Sequence, residues 1–251
     1  MFDHLPIATI LVTYVAVIFA LSVHEAAHAT AAYLLEDDTA QRMGRMTLNP
    51  VAHMDLVGTV ILPLLGMVTG ARVLGWAKPV PVNPARLTRR YPARVGYAMV
   101  AAAGPASNLL QSLLFLILLA LFIRFAVPVD PIQRLMLYRA SMGVPVETFL
   151  HEPFFSTGNV LAMTLLGRLV IINIGLAIFN LLPFGPLDGA GILRGFLPYR
   201  MLPTFDRIQP AITIVLLILF LVGVMGPVLS PFFFVAERFY LLPMGRLLLG
   251  V

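Results

Sequence analysis

The chain has 251 residues, of which 59% are hydrophobic and only 12% charged, and it carries a formal net charge of +5. An ordinary soluble domain carries roughly 25% charged residues, so this composition excludes a water-soluble globule, a disordered chain and a collagen-like repeat. The bilayer is the expected solvent, and residues 1–251 are expected to form a single membrane-embedded domain.

The positive charges sit in loops beside apolar segments, as membrane topology requires, and no basic stripe is interleaved with aromatics. Nucleic-acid binding is therefore not expected. There is no cysteine, which excludes disulfides, a thiol nucleophile and thiolate metal sites. A transition-metal site in this chain must use His and carboxylate.

No Lys or Arg precedes the first apolar run, so it lacks the charged start of a secretory signal and is expected to stay in the mature protein. A membrane helix needs about 20 mostly apolar residues, and the first candidate runs from Ile7 to Leu35. It ends at Glu36-Asp37-Asp38 and contains His24, Glu25 and His28. The polar stretch 39–55 follows, and the short alternation over 42–48 suggests a strand or hairpin. Leu56 to Leu74 is apolar but interrupted by Gly58, Pro63, Gly66 and Gly70, which suits a re-entrant segment better than a straight helix. Gly75-Trp76-Ala77-Lys78-Pro79-Val80-Pro81-Val82-Asn83-Pro84 is too rich in proline for a helix and reads as an extended loop, with Trp76 at the membrane interface.

The next helix is expected over Arg94–Ala126. It contains Gly104-Pro105-Ala106-Ser107-Asn108, small residues that allow close helix packing. Residues 130–156 read as a mixed amphipathic loop, Asn159–Leu182 as a helix, 185–207 as a Pro/Gly-rich connection and Ile208–Val228 as a last span. The tail, Pro231–Val251, suits an interfacial helix. The expected class is an all-α polytopic membrane protein with about four to six transmembrane helices, a re-entrant segment and short membrane-associated β or extended elements.

Arg72, Lys78, Arg86, Arg89, Arg90 and Arg94 form a basic block without an acid, which the positive-inside rule places in the cytoplasm. His24 and Asp188 then arrive at similar depth near the cytoplasmic face. The parity closes only if the segment 56–74 enters and leaves on one side.

His24-Glu25-Ala26-Ala27-His28 is the pattern HExxH. On a helix, residues four apart share a face, so both imidazoles can bind one zinc while Glu25, one step round, serves as general base. Zinc lowers the pKa of water from about 15.7 to near 7. Charged groups at membrane depth cost about 2.5–3.5 kcal/mol each on insertion scales, so this cluster points to function. A third ligand must be His, Asp or Glu. Asp188, in Asn180-Leu181-Leu182-Pro183-Phe184-Gly185-Pro186-Leu187-Asp188-Gly189, is a candidate because the two prolines can turn its carboxylate inward. An exposed Asp-Gly turn is the plainer reading of that segment alone.

HExxH in a first membrane helix with Asn-x-x-Pro and Leu-Asp-Gly later resembles the site-2 protease family of intramembrane zinc metalloproteases. The stretch Leu48–Thr59 strengthens the resemblance, though a segment of this kind is not common to all branches, and the Gly75–Pro84 segment and Ala103–Asn108 resemble its compact prokaryotic branch, which has no PDZ or CBS domain. The resemblance covers about Val23 to Gly189. It implies one zinc per chain held by His24, His28 and Asp188, with Glu25 as catalytic acid/base and Asn180 as a contact to substrate or oxyanion. It further implies a transmembrane-helix protein as substrate, for regulated intramembrane proteolysis or clearance of membrane peptides, and residence in a prokaryotic inner membrane. Self-association into a homo-oligomer stays open. His53 and Asp55 can orient a ligand His or act as a local turn and cap, the plainer role. His4 and His151 read as loop residues.

Other intramembrane protease chemistries lack their parts: there is no Gly-x-Ser-Gly, no second membrane Asp in Gly-x-Gly-Asp and no Glu-Glu pair. A cation transporter predicts a continuous polar path and repeated halves, and neither is visible. A catalytically dead scaffold would be expected to have lost Glu25 or a ligand.

Overall fold

The computed structural model describes residues 7–69, 75–143, 148 and 156–250. Four helices among them are long and apolar enough to cross a membrane. They are α1 (Ile7–Leu34), α4 (Ala93–Ala126), α6 (Thr157–Asn180) and α8 (Leu202–Val222). At 1.5 Å per residue, a 24-residue helix such as α6 spans roughly 36 Å, enough for a hydrocarbon core of about 30 Å. Their outward faces are apolar and exposed: Ile7, Leu11, Val15 and Phe19 form one such ridge on α1, and Ile214, Val215, Ile218 and Leu221 another on α8. Such faces are stable against lipid and costly in water. The fold is thus all-α and polytopic, as its composition demands.

Several elements differ from the sequence expectation. No strand occurs among the described residues. The stretch that alternates over 42–48 instead follows a one-turn helix, α2 (Thr39–Arg42), and leads into a 3₁₀ turn, Pro50–Ala52. Its alternation marks turn residues around the buried Arg45, with no partner strand to pair. The segment after it is helical despite its glycines. A π-helical stretch, Leu56–Ile61, runs into α3 (Leu62–Thr69). Residues 70–74, the end of the expected re-entrant segment, lie outside the described residues, as do His4 and His151.

Within the expected loop 130–156, Pro131–Gly143 forms α5. The connection 185–207 contains a further helix, α7 (Asp188–Phe196), and the last long helix begins at Leu202 and stops at Val222. Gly223, at φ 85°, supplies the left-handed cap there, a conformation that costs glycine nothing. The tail is helical in pieces: α9 (Met225–Ala236), a π-helical turn Glu237–Leu241, and α10 (Leu242–Leu249).

The chain packs as two compact units. One comprises Met1–Ala20, Leu109–Gly175 and Ser230–Val251. Its core holds Leu116, Leu119 and Ile123 of α4 with Val160, Met163 and Val170 of α6. Tyr138 of α5, fully buried, donates its hydroxyl to the Leu241 carbonyl at 2.9 Å. Burial raises the pKa of that phenol above the ordinary tyrosine value, so it stays a neutral donor.

The other unit comprises Leu21–Asn108 and Leu176–Leu229 and contains every candidate site residue. Ala29 and Ala32 of α1 are fully buried in it, and Ala98 and Ala101 of α4 nearly so. Small side chains let helices approach closely where lipid offers no hydrophobic drive.

Candidate metal centre

Half of the site is local to α1. His24 and His28 are one turn apart and both buried. Their ring planes stand at 88° and their Nε2 atoms face one another at 3.0 Å. Which nitrogen of each ring carries the proton follows from the other contact. His24 Nδ1 lies 2.6 Å from Oδ1 of Asn108, and His28 Nδ1 lies 2.8 Å from the Val100 carbonyl oxygen. Both partners are acceptors, so each Nδ1 donates and each Nε2 presents a lone pair.

The third donor comes from 160 residues further along. α6 ends at Asn180, the chain turns through Pro183 and Pro186, and Asp188 opens α7. Gly189 permits the turn to close: a Cβ there would run into the Leu181 and Leu182 backbone carbonyls. Asp188 Oδ2 then lies 3.2 Å from His24 Nε2 and Oδ1 3.3 Å from His28 Nε2.

Two lone pairs and a carboxylate converging on one point make a cation receptor. A tetrahedral zinc with bonds of about 2.0–2.1 Å sets neighbouring ligand atoms about 3.3 Å apart. The Nε2 atoms 3.0 Å apart, with one carboxylate oxygen 3.2 Å from His24 and the other 3.3 Å from His28, place the three side chains within the reach of such an ion. Among the described residues this is the group of His and acidic side chains whose ligand atoms all come within 4.8 Å of one another.

Glu25 points from the same helix into the same cavity, of about 410 Å³, which is also lined by Trp76, Tyr97, Phe179 and Asn180. Its Oε2 accepts from the backbone amide of Val80 at 3.0 Å. Val80 belongs to the extended segment that the prolines predict. In extended chain, alternate residues present their polar groups to the same edge. Here the Trp76 amide donates to the Gly58 carbonyl at 3.1 Å and the Lys78 amide to the His53 carbonyl at 2.9 Å. On the same edge, Thr59 donates its hydroxyl to the Trp76 carbonyl at 2.7 Å and Arg45 its guanidinium to the Lys78 carbonyl at 2.5 Å. Trp76 lies over Gly58, where a Cβ would stand 2.5 Å from its Nε1.

The structure brings the ligand atoms of His24, His28 and Asp188 within 4.8 Å of one another and places Glu25 and Asn180 on the wall of the cavity beside them. Asp55 caps the π-helical stretch, its Oδ1 accepting the Val57 amide at 3.0 Å and the Gly58 amide at 2.7 Å. His53 donates Nε2 to the Thr47 carbonyl at 2.7 Å. Both make contacts within the local turn, while the hydrogen bonds to the His24 and His28 rings come from Asn108 and Val100. The sequence reading treated Asn108 as part of a close-packing motif. Its only distinguishing signal was an amide on a membrane helix four residues after Gly104. The Val80 amide left no side-chain signal at all.

The family model for peptidase family M50 matches residues 12–223. A protein of Bacillus subtilis (strain 168) named "Putative zinc metalloprotease YwhC" is 32% identical over 232 residues, which are 92% of this chain and 89% of the relative. No solved structure matches the chain. A family match over most of the length, four membrane-length helices and a His-His-Asp donor set agree with one another, and the chain belongs to peptidase family M50, the site-2 protease family of membrane metalloproteases.

Proposed function

We propose that this protein is an intramembrane zinc endopeptidase that hydrolyses peptide bonds within or near the transmembrane helices of other membrane proteins, either to release a regulator or to clear membrane peptides. The observation that carries this reading is the convergence of His24 Nε2, His28 Nε2 and the Asp188 carboxylate on the wall of a cavity that Glu25 also enters. His24, His28 and Asp188 would hold one zinc per chain, which supplies a Lewis acid and water activated near neutral pH.

The remaining work falls to the chain's own residues. Glu25, its Oε2 engaged by Val80, takes a proton at Oε1 and delivers it to the leaving amine. Asn180, at the end of α6, offers a neutral amide donor to the negative charge that develops on the scissile carbonyl oxygen. A substrate helix must unwind locally to enter, because its own backbone pairing shields the peptide bond. The arginine and lysine distribution supports a cytoplasmic-side site in a prokaryotic inner membrane.

The test uses purified full-length protein in liposomes with a single-span substrate. Wild type should bind one zinc and cleave. Glu25→Gln should keep the zinc and lose roughly 10²–10⁴-fold in cleavage rate. Cleavage by Glu25→Gln at the wild-type rate would overturn the assignment of the base, and protein that cleaves with zinc fully removed would overturn the metal mechanism.

A further inference from the structure

We infer that Asn108 is a positioning residue for the metal centre: with Val100 and Gly104 it forms a stripe on α4 that sets both zinc-binding imidazoles. The inference rests on the zinc-site reading above and adds to it the part that presents the ligands.

Val100, Gly104 and Asn108 are spaced four apart, so they share one face of α4. Each position makes a different contribution to the same two rings. Val100 offers its carbonyl oxygen to His28 Nδ1 at 2.8 Å. Asn108 offers Oδ1 to His24 Nδ1 at 2.6 Å. Gly104, between them, supplies room: a Cβ there would stand 2.5 Å from His24 Cε1 and 2.5 Å from His28 Cε1. Asn108 is fully buried and Val100 nearly so, so water cannot substitute for either acceptor.

An imidazole bound to metal through Nε2 must carry its proton on Nδ1, and an acceptor there fixes both the tautomer and the ring orientation. For His28 that acceptor is backbone and cannot be lost by substitution. For His24 it is the Asn108 side chain, so position 108 is where this sequence can gain or lose the device. Both acceptors are neutral. With Glu25 and Asp188 supplying two negative charges, a divalent ion leaves the loaded site without net charge. That balance suits membrane depth, where unpaired charge is costly.

The test is zinc affinity of the full-length protein in lipid nanodiscs, read by competition with a chromophoric chelator, together with the visible spectrum of the cobalt-loaded form. Asn108→Ala should bind zinc roughly 10–100-fold more weakly and shift the cobalt spectrum. Asn108→Asp, which restores an oxygen acceptor to His24 Nδ1, should bind zinc more tightly than Asn108→Ala. An Asn108→Ala protein that binds zinc within about threefold of wild type, or an Asn108→Asp protein as weak as Asn108→Ala, overturns the assignment. If Asn108→Ala does not fold, Asn108→Leu, of similar size and also without an acceptor, decides: a loss of about tenfold or more supports the role, and a smaller loss overturns it. Failure of the underlying reading looks different, because wild type would then bind no zinc, or bind it as well after His24→Ala.

Discussion

The backbone amide of Val80 and the carboxylate of Glu25 are joined by a 3.0 Å hydrogen bond between residues 55 apart in sequence. The donor is a peptide group, so the extended segment itself holds the proposed base in place. Its inner edge is anchored in turn on Gly58, Thr59, His53 and Arg45. Proline is the substitution that removes this donor while keeping an extended backbone. Val80→Pro should leave zinc content unchanged and lower the cleavage rate about tenfold, the scale of one lost hydrogen bond to a charged group. Metal analysis alongside single-turnover cleavage checks this, and unchanged cleavage would show that Glu25 does not need the contact.

Gly104 is predicted to be intolerant of the smallest side chain. A Cβ there would meet both imidazoles, and two packed helices cannot part without opening a gap elsewhere. Gly104→Ala should therefore weaken zinc binding by more than about tenfold, beyond the lower end of the range for lost outer contacts. Chelator competition measures the loss, and circular dichroism of the metal-free protein shows whether the helices persist.

Asp188→Asn keeps the size of the side chain but replaces an anionic ligand with a neutral amide. Removing an outer partner costs 10–100-fold in affinity, so loss of a direct ligand should cost at least about 100-fold. Zinc titration over a wide concentration range reads this directly, and wild-type affinity in the variant would remove Asp188 from the ligand set.

Asp55→Ala separates a cap from a metal role. Loss of the two amide contacts at Val57 and Gly58 should destabilise the Leu56–Thr69 helix by about 1 kcal/mol. Hydrogen exchange at those two amides should accelerate while zinc affinity stays at the wild-type value. A drop in zinc affinity would instead tie Asp55 to the centre.

Much of this architecture was legible from hydropathy. The long apolar runs starting at Ile7, near Arg94 and near Asn159 became α1, α4 and α6, with ends within two residues of those expected. Such runs depend on the local match between side chains and lipid. The errors fell where local signals mislead. The glycines and prolines around Asp188 concealed α7, because a short helix that begins at a tight turn carries the same residues as a loop. Mixed composition concealed α5, and the alternation near Arg45 imitated a strand that would have needed a partner.

For the site, the sequence alone determined the pair of imidazoles, since residues four apart on a helix must share a face, and it marked Glu25 beside them. It offered Asp188 as a candidate third ligand, and the resemblance to a known family singled out Asp188 and added Asn180. Tertiary structure decided the rest. His28 takes its acceptor from a backbone carbonyl 72 residues away and His24 from an amide 84 residues away, while Glu25 takes its donor from the Val80 peptide group. A carbonyl or an amide is present at nearly every position of any chain. Only the packing of α4 and the extended segment against α1 selects which of them meet His24, His28 and Glu25.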